Sequence, residues 1–174
     1  MLKALNDHLS ANYGLGTYAV TWRLPTVWLD YALIDERRLK RAEVEAEAAR
    51  FLAVVPGIHT VFTRTQLQNG WVPPTRLGLL ASRSWNSERS GDLLLIQKDG
   101  WYFSELPSGM SAMHGTPWTY DARVPVVFMG SPWVRSGTYA QAAEPADIAP
   151  TLAFLLGVPP PSGSEGRVLR EMLR

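Results

Sequence analysis

A chain of 174 residues, 46% of them hydrophobic, can bury roughly two-thirds of its unfolded surface, which excludes a disordered segment and leaves room for one domain or two small ones. Seventeen Lys and Arg against 16 Asp and Glu leave a net charge of +1, so there is no basic field to gather nucleic acid and no acidic tail. Cysteine is absent, which removes disulfides, thiolate metal sites and a cysteine nucleophile and confines any metal site to His, Asp or Glu.

No stretch approaches the ~20 apolar residues that a membrane-spanning helix needs, and no basic segment leading into a long apolar run precedes Pro25. Neither membrane nor nucleic acid is therefore expected as a partner, and the compartment stays open. The first element expected is a strand over Thr17–Leu24, with Tyr18, Val20 and Trp22 on one alternating face, stopped by Pro25. The apolar run Val27–Leu29 leads to a helix beginning near Asp35. There Leu39, Ala42, Ala46, Ala49 and Ala53 recur at three- and four-residue intervals as one narrow stripe, and the rest of Asp35–Arg50 forms a solvated, charge-paired face.

Pro56 and Gly57 end that helix, and His59–Thr63 follows as a strand. Residues 1–72 thus form a small α+β unit, β-β-α-β, closed by the Asn69-Gly70 turn and Pro73-Pro74. Residues 73–174 make up the second part. It opens on a predicted helix, Arg76–Trp85, and continues with a predicted hairpin: Asp92–Gln97, the turn Asp99-Gly100, and Trp101–Phe103. The continuous apolar run Val124–Met129 suits a strand buried on both faces. Asp147 is placed to cap a helix running through Leu156, with Pro150 in its first turn and Gly157 and Pro159 as its stop; a last helix spans Arg167–Leu173.

Four landmarks stand in a fixed order within this second part. They are Ser90-Gly91-Asp92; His114-Gly115-Thr116-Pro117, followed by Tyr120-Asp121 and Val124-Pro125; Asp147-Ile148-Ala149-Pro150-Thr151-Leu152; and Ser164-Glu165-Gly166-Arg167. Through them the segment from Ser90 to Leu173 resembles the end of the family of type I phosphodiesterases, nucleotide pyrophosphatases and alkaline phosphatases. The upstream part, with Tyr18–Trp22, Leu29-Asp30, the charged helix and Val61-Phe62-Thr63-Arg64, resembles the small α+β insert of bacterial phosphate-irrepressible alkaline phosphatases.

The resemblance implies an α/β fold: part of an alkaline-phosphatase-like α/β/α sandwich, a mixed sheet with flanking helices, plus the small α+β insert. It also implies a C-terminal portion of a hydrolase of phosphate mono- or diesters, of a kind often periplasmic or secreted. In such enzymes two zinc ions sit at the carboxyl ends of a central sheet, and a Thr or Ser between them attacks phosphorus to give a covalent phosphoenzyme. The late histidine of the family's His-Gly-Ser/Thr-Pro loop binds the zinc that holds the attacking water, and it matches His114. The nucleophile and the other ligands precede the first residue here, so at most one partial zinc site is expected and the isolated chain should not hydrolyse esters.

Residue chemistry agrees with that assignment, since neutral imidazole is a good zinc donor and a loop containing Ser108, Gly109, Ser111 and Gly115 lets backbone come close to a metal. Met113 departs from the family, which often has a small or hydroxylated residue there. His8 and His59 are in unrelated contexts. Asp92, Asp121 and Asp147 are expected to cap or turn the chain rather than to catalyse, and Glu165 and Arg167 to pair or cap the terminal helix. The seven tryptophans are expected to be buried, apart from Trp118, which follows His114 by four residues and is placed to line a substrate mouth. The competing expectation is a non-catalytic interaction domain derived from the same family. Exposed strand edges predict a homodimer through edge pairing or segment exchange.

Overall fold

The apolar runs of the first part assemble into one four-stranded sheet, which a computed structural model shows together with its flanking helices; it describes residues 1–103 and 113–174. Strands β1 (Ala19–Arg23), β2 (Thr26–Leu29), β3 (Ile58–Thr63) and β4 (Leu93–Gln97) lie in the order β1-β2-β4-β3. All three ladders among the described residues are antiparallel. β4 is central and every one of its residues is buried.

Helix α1 (Leu2–Tyr13) precedes the sheet and seals it with Leu5 and Leu9, a pair too short to predict a helix from spacing. Its Asn6 side chain acts as a substitute strand neighbour, donating to the Ala19 carbonyl at 2.9 Å and accepting from the Ala19 N–H at 2.7 Å. The β1–β2 register is irregular between Ala19 and Thr21, as in a bulge, and the alternation shifts there. Tyr18 and Ala19 are both buried and Val20 turns outward, so the predicted face of Tyr18, Val20 and Trp22 does not hold as one surface.

Asp30 caps α2 (Tyr31–Glu36) through Leu33 N–H at 3.0 Å. In α3 (Arg41–Ala53) the buried stripe is Val44, Ala48 and Leu52, with Glu45 beside it, instead of the predicted alanines; Ala42 and Ala53 are exposed. Val44 and Leu52, two turns apart on either side of Ala48, set the inward face, because branched side chains bury more apolar area than alanines can. Thr63 and Gln66 form a capping box at the start of α4 (Arg64–Gln68). Thr75 caps α5 (Arg76–Ser84), close to the predicted bounds.

The predicted hairpin forms only in part. Asp99-Gly100 makes the turn, with Trp101 N–H on the Lys98 carbonyl and Gly100 at φ 73°, but Trp101–Phe103 is not a strand. β3 pairs along the whole of β4 and β2 along Leu93 and Leu94, and the Gln97 carbonyl accepts the Trp118 indole N–H, so other segments hold backbone positions that a hairpin partner would need. Phe103 packs edge-on against Trp22 instead, with ring centroids 5.6 Å apart.

Two compact units divide the chain at Met1–Ala122 and Arg123–Arg174. The sheet of the first draws β1–β3 from one side of the 72/73 boundary and β4 from the other. In the second unit α7 (Ile148–Leu156) runs to a left-handed Gly157 cap, as its sequence predicts, and Val134 bridges Leu173. Two expectations fail there. The predicted helix Arg167–Leu173 reduces to one 3-10 turn, Arg170–Met172, and Val124–Met129 runs without a ladder among the described residues. Val126 and Phe128 rest on Leu169, Met172 and Leu173, whereas Val127 is 83% and Met129 98% exposed.

Candidate functional site

His114 lies on an exposed turn whose downstream residues are held at three points. Gly115 takes φ +97°, a conformation that side-chain-bearing residues rarely adopt, and reverses the chain directly after the imidazole. Thr116 is buried, and its N–H donates to Asp121 Oδ2 at 2.5 Å. That hydrogen bond is the main reason the Asp121 carboxyl is held below the ordinary carboxylate range. Arg76 on α5 donates to the Pro117 carbonyl at 2.6 Å.

Trp118 supplies the third anchor, its indole N–H donating to the Gln97 carbonyl at the end of β4 at 2.9 Å. The ring of His59 on β3 meets the Trp118 ring edge-on, with centroids 5.2 Å apart. The short helix α6 (Thr119–Ala122) follows at once, with the Asp121 and Ala122 amides on the Trp118 carbonyl. Ser108, Gly109 and Ser111, the other residues of the predicted loop, lie outside the described residues.

Among the described residues no three His, Asp or Glu side chains gather as a metal cage. His8 is 2.7 Å from Glu47 and stacks on Phe51; His59 is engaged with Trp118. Zinc takes four donors and His114 offers one, so the described residues supply part of a site and do not by themselves fit a zinc ion.

The other acidic landmarks hold backbone together. Buried Asp92 accepts from Leu29 N–H at 2.7 Å and from Arg64 Nε at 2.6 Å, and Arg64 also donates to the carbonyls of Ser87 and Ser90. Gly91 is required beside it, because a Cβ there would stand 2.7 Å from the Val27 carbonyl oxygen. Asp147, expected to cap α7, makes no cap bond to that helix. It accepts instead from Glu144 N–H at 2.9 Å and, across to the last landmark, from Arg167 N–H at 2.8 Å. Thr151 adds a parallel bond from Leu169 N–H at 3.0 Å, and a Cβ on Gly166 would overlap the Ala146 carbonyl oxygen at 2.1 Å. Arg167 pairs with Glu171.

Sequence reasoning overlooked Glu45, which is buried on the supposedly solvated helix α3. It takes the Tyr31 hydroxyl at 2.6 Å and Thr65 N–H at 2.9 Å; burial, then the bond to Glu45, pushes the Tyr31 phenol up. Arg76 and His59, as supports of the His114 turn, also carry no local signal, because their partners are distant in sequence.

No family model matches the chain. It is 30% identical over 172 residues to a calcium-transporting ATPase of Myroides odoratus, an alignment covering 98% of this chain and 31% of that protein. Against alkaline phosphatase PhoK of Sphingomonas sp the identity is 33% over 183 residues, covering 96% and 31% respectively. The crystal structure of wild type alkaline phosphatase PafA matches with a TM-score of 0.86 at 25% identity, over 100% of this chain and 33% of that one. The chain thus spans about a third of the length of the curated relatives it matches. Its landmarks, its fold and these likenesses agree: along its whole length the chain is similar to part of an alkaline phosphatase.

Proposed function

We propose that this chain is the C-terminal portion of a zinc-dependent phosphatase or phosphodiesterase, and that it contributes His114 as one donor of a dinuclear phosphoryl-transfer site. The observation that carries this reading is the exposed imidazole on a turn pinned to the end of β4 and to α5, in a chain that superposes along its whole length on part of an alkaline phosphatase. Zinc, when bound by the complete donor set, would neutralise charge on the attacking and leaving oxygens of an in-line displacement. This chain's own part is to present a neutral imidazole from a fixed backbone. Trp118 is proposed to border the substrate mouth with the portion of its half-buried ring that Gln97 and His59 leave open.

Alone, the chain is proposed to be inactive on phosphate mono- and diesters, since one donor does not fix a hydrolytic metal. Zinc titration of the purified chain, with nitrophenyl phosphate mono- and diesters as substrates, tests this. Weak zinc binding lost in His114→Ala, without turnover, is the expected result; tight stoichiometric zinc with turnover would overturn it. Self-association through the exposed Val124–Met129 segment or the outer strands β1 and β3 is part of the same proposal.

A further inference from the structure

We propose that Asn69 is a self-modifying site: the Gly70 backbone nitrogen attacks its side-chain amide, and the native protein loses ammonia there through a cyclic imide. Local sequence marks Asn69-Gly70 only as a turn, but the structure singles it out among the four asparagines, Asn6, Asn12, Asn69 and Asn86. A following glycine puts no side chain in the path of such an attack. Asn6 is followed by Asp7 and spends both amide atoms on Ala19. Asn12 is followed by Tyr13 inside α1, with its Nδ2 on the His8 carbonyl at 2.9 Å. Asn86 is followed by Ser87, and its Oδ1 is held by the Glu88 and Arg89 amides. Asn69 and Gly70 are both exposed, and a Cβ placed on Gly70 would meet nothing within 4 Å.

The fold gates the step. Asn69 ends α4 at φ −94° and ψ 1°, which turns the Gly70 nitrogen away from the Asn69 side chain, and Nδ2 donates to the Thr65 carbonyl at 2.8 Å. Rotation about ψ brings nitrogen and amide together. It breaks the bond of the Trp71 amide to the Gln66 carbonyl at 2.8 Å and that of the Gly70 amide to the Leu67 carbonyl at 3.4 Å. These are the last bonds of a helix of 5 residues, where opening costs least. In the open turn the Gly70 nitrogen gives its proton to hydroxide and bonds to Asn69 Cγ; the Cγ–Nδ2 bond breaks, and Nδ2 takes a proton from water and leaves as ammonia. Water then opens the imide at either carbonyl, leaving aspartate or, with the chain rerouted through the side chain, isoaspartate. Either product loses the donor to Thr65 and gains a negative charge.

Peptide mapping by mass spectrometry tests the assignment on the whole chain, incubated folded at mildly alkaline pH and, in parallel, in urea. The Asn69 peptide of the folded chain should gain about one mass unit, an amide exchanged for a carboxyl, before the peptides of the other asparagines do, with isoaspartate in the product. In urea the conversion should run about tenfold faster, the factor that one or two hydrogen bonds of ordinary net strength supply. Acidifying the buffer should slow it as hydroxide becomes scarce. Asn69→Gln, whose attack would need a larger ring, should keep its mass at this peptide. A folded chain in which Asn69 stays an amide, or in which Asn86 converts first, would overturn the proposal. Equal rates with and without urea would overturn the gate, and a mass gain in Asn69→Gln would overturn the assignment to Asn69.

Discussion

Met1–Ala122 and Arg123–Arg174 hold similar kinds of apolar segment and treat them differently. In the first, Leu93–Gln97 lies between two ladders and is buried throughout; in the second, Val124–Met129 has no ladder among the described residues and leaves Met129 98% exposed. An apolar run becomes a buried strand only where neighbours satisfy its amides and carbonyls and cover both faces. Each unit also has a buried aspartate joining distant backbone, but Asp92 is paired with a cation whereas Asp147 bonds two amides.

The sharpest break of this comparison is Asp92→Ala. It leaves the largely buried Arg64 without its carboxylate and Leu29 N–H without an acceptor, for a cost of about 3–5 kcal/mol, read by urea unfolding followed by circular dichroism. A loss under about 1 kcal/mol would show that the pair is not what joins β2 to the start of β4. Asp147→Ala should cost less, about 1–3 kcal/mol, because it strands two amides and no charge. Its effect should be confined to the second unit, seen as faster exchange of the Arg167 and Leu169 amides with that of Leu95 unchanged.

A smaller effect is expected from Val127→Lys combined with Met129→Lys. Both side chains are exposed, so melting temperature should stay within error, while sedimentation at increasing concentration should show weaker self-association than the unsubstituted chain. Equal association by both proteins would remove this segment as the contact. The smallest effect concerns Glu171, whose carboxyl the Arg167 guanidinium holds at about 2, below its ordinary 4.5. A carboxylate depressed on folding stabilises the native state above its unfolded value and stops doing so as pH falls through its folded value. Loosening of Arg167–Leu173 between about pH 4.5 and 2 should therefore diminish in Glu171→Gln, measured by amide exchange. The pair is solvent-exposed, so global stability should hardly respond.

Much of the fold was legible from local chemistry. Strands β1 and β3, helix α5 and helix α7 with its Gly157 cap follow from apolar spacing, capping residues and glycine stops. The four ordered landmarks led to the likeness with alkaline phosphatases, and His114 stood out among three histidines because of the residues around it. Their arrangement in space was not legible. Asp92 and Arg64 are 28 positions apart, and Arg76 and Pro117 are 41.

What the sequence determined by itself is what depends on a few consecutive residues: where helices start and stop, which runs are apolar, and which glycines permit a reversed turn. Tertiary structure decided which face of α3 is buried, that β4 pairs with β2 and β3 rather than with Trp101–Phe103, and that the Asp121 carboxyl accepts the Thr116 N–H beside His114. The physical reason is that strand pairing and side-chain clamps are contests for a limited number of hydrogen-bonding partners. Their outcome depends on every segment that reaches the same place, and no local stretch of chain contains that information.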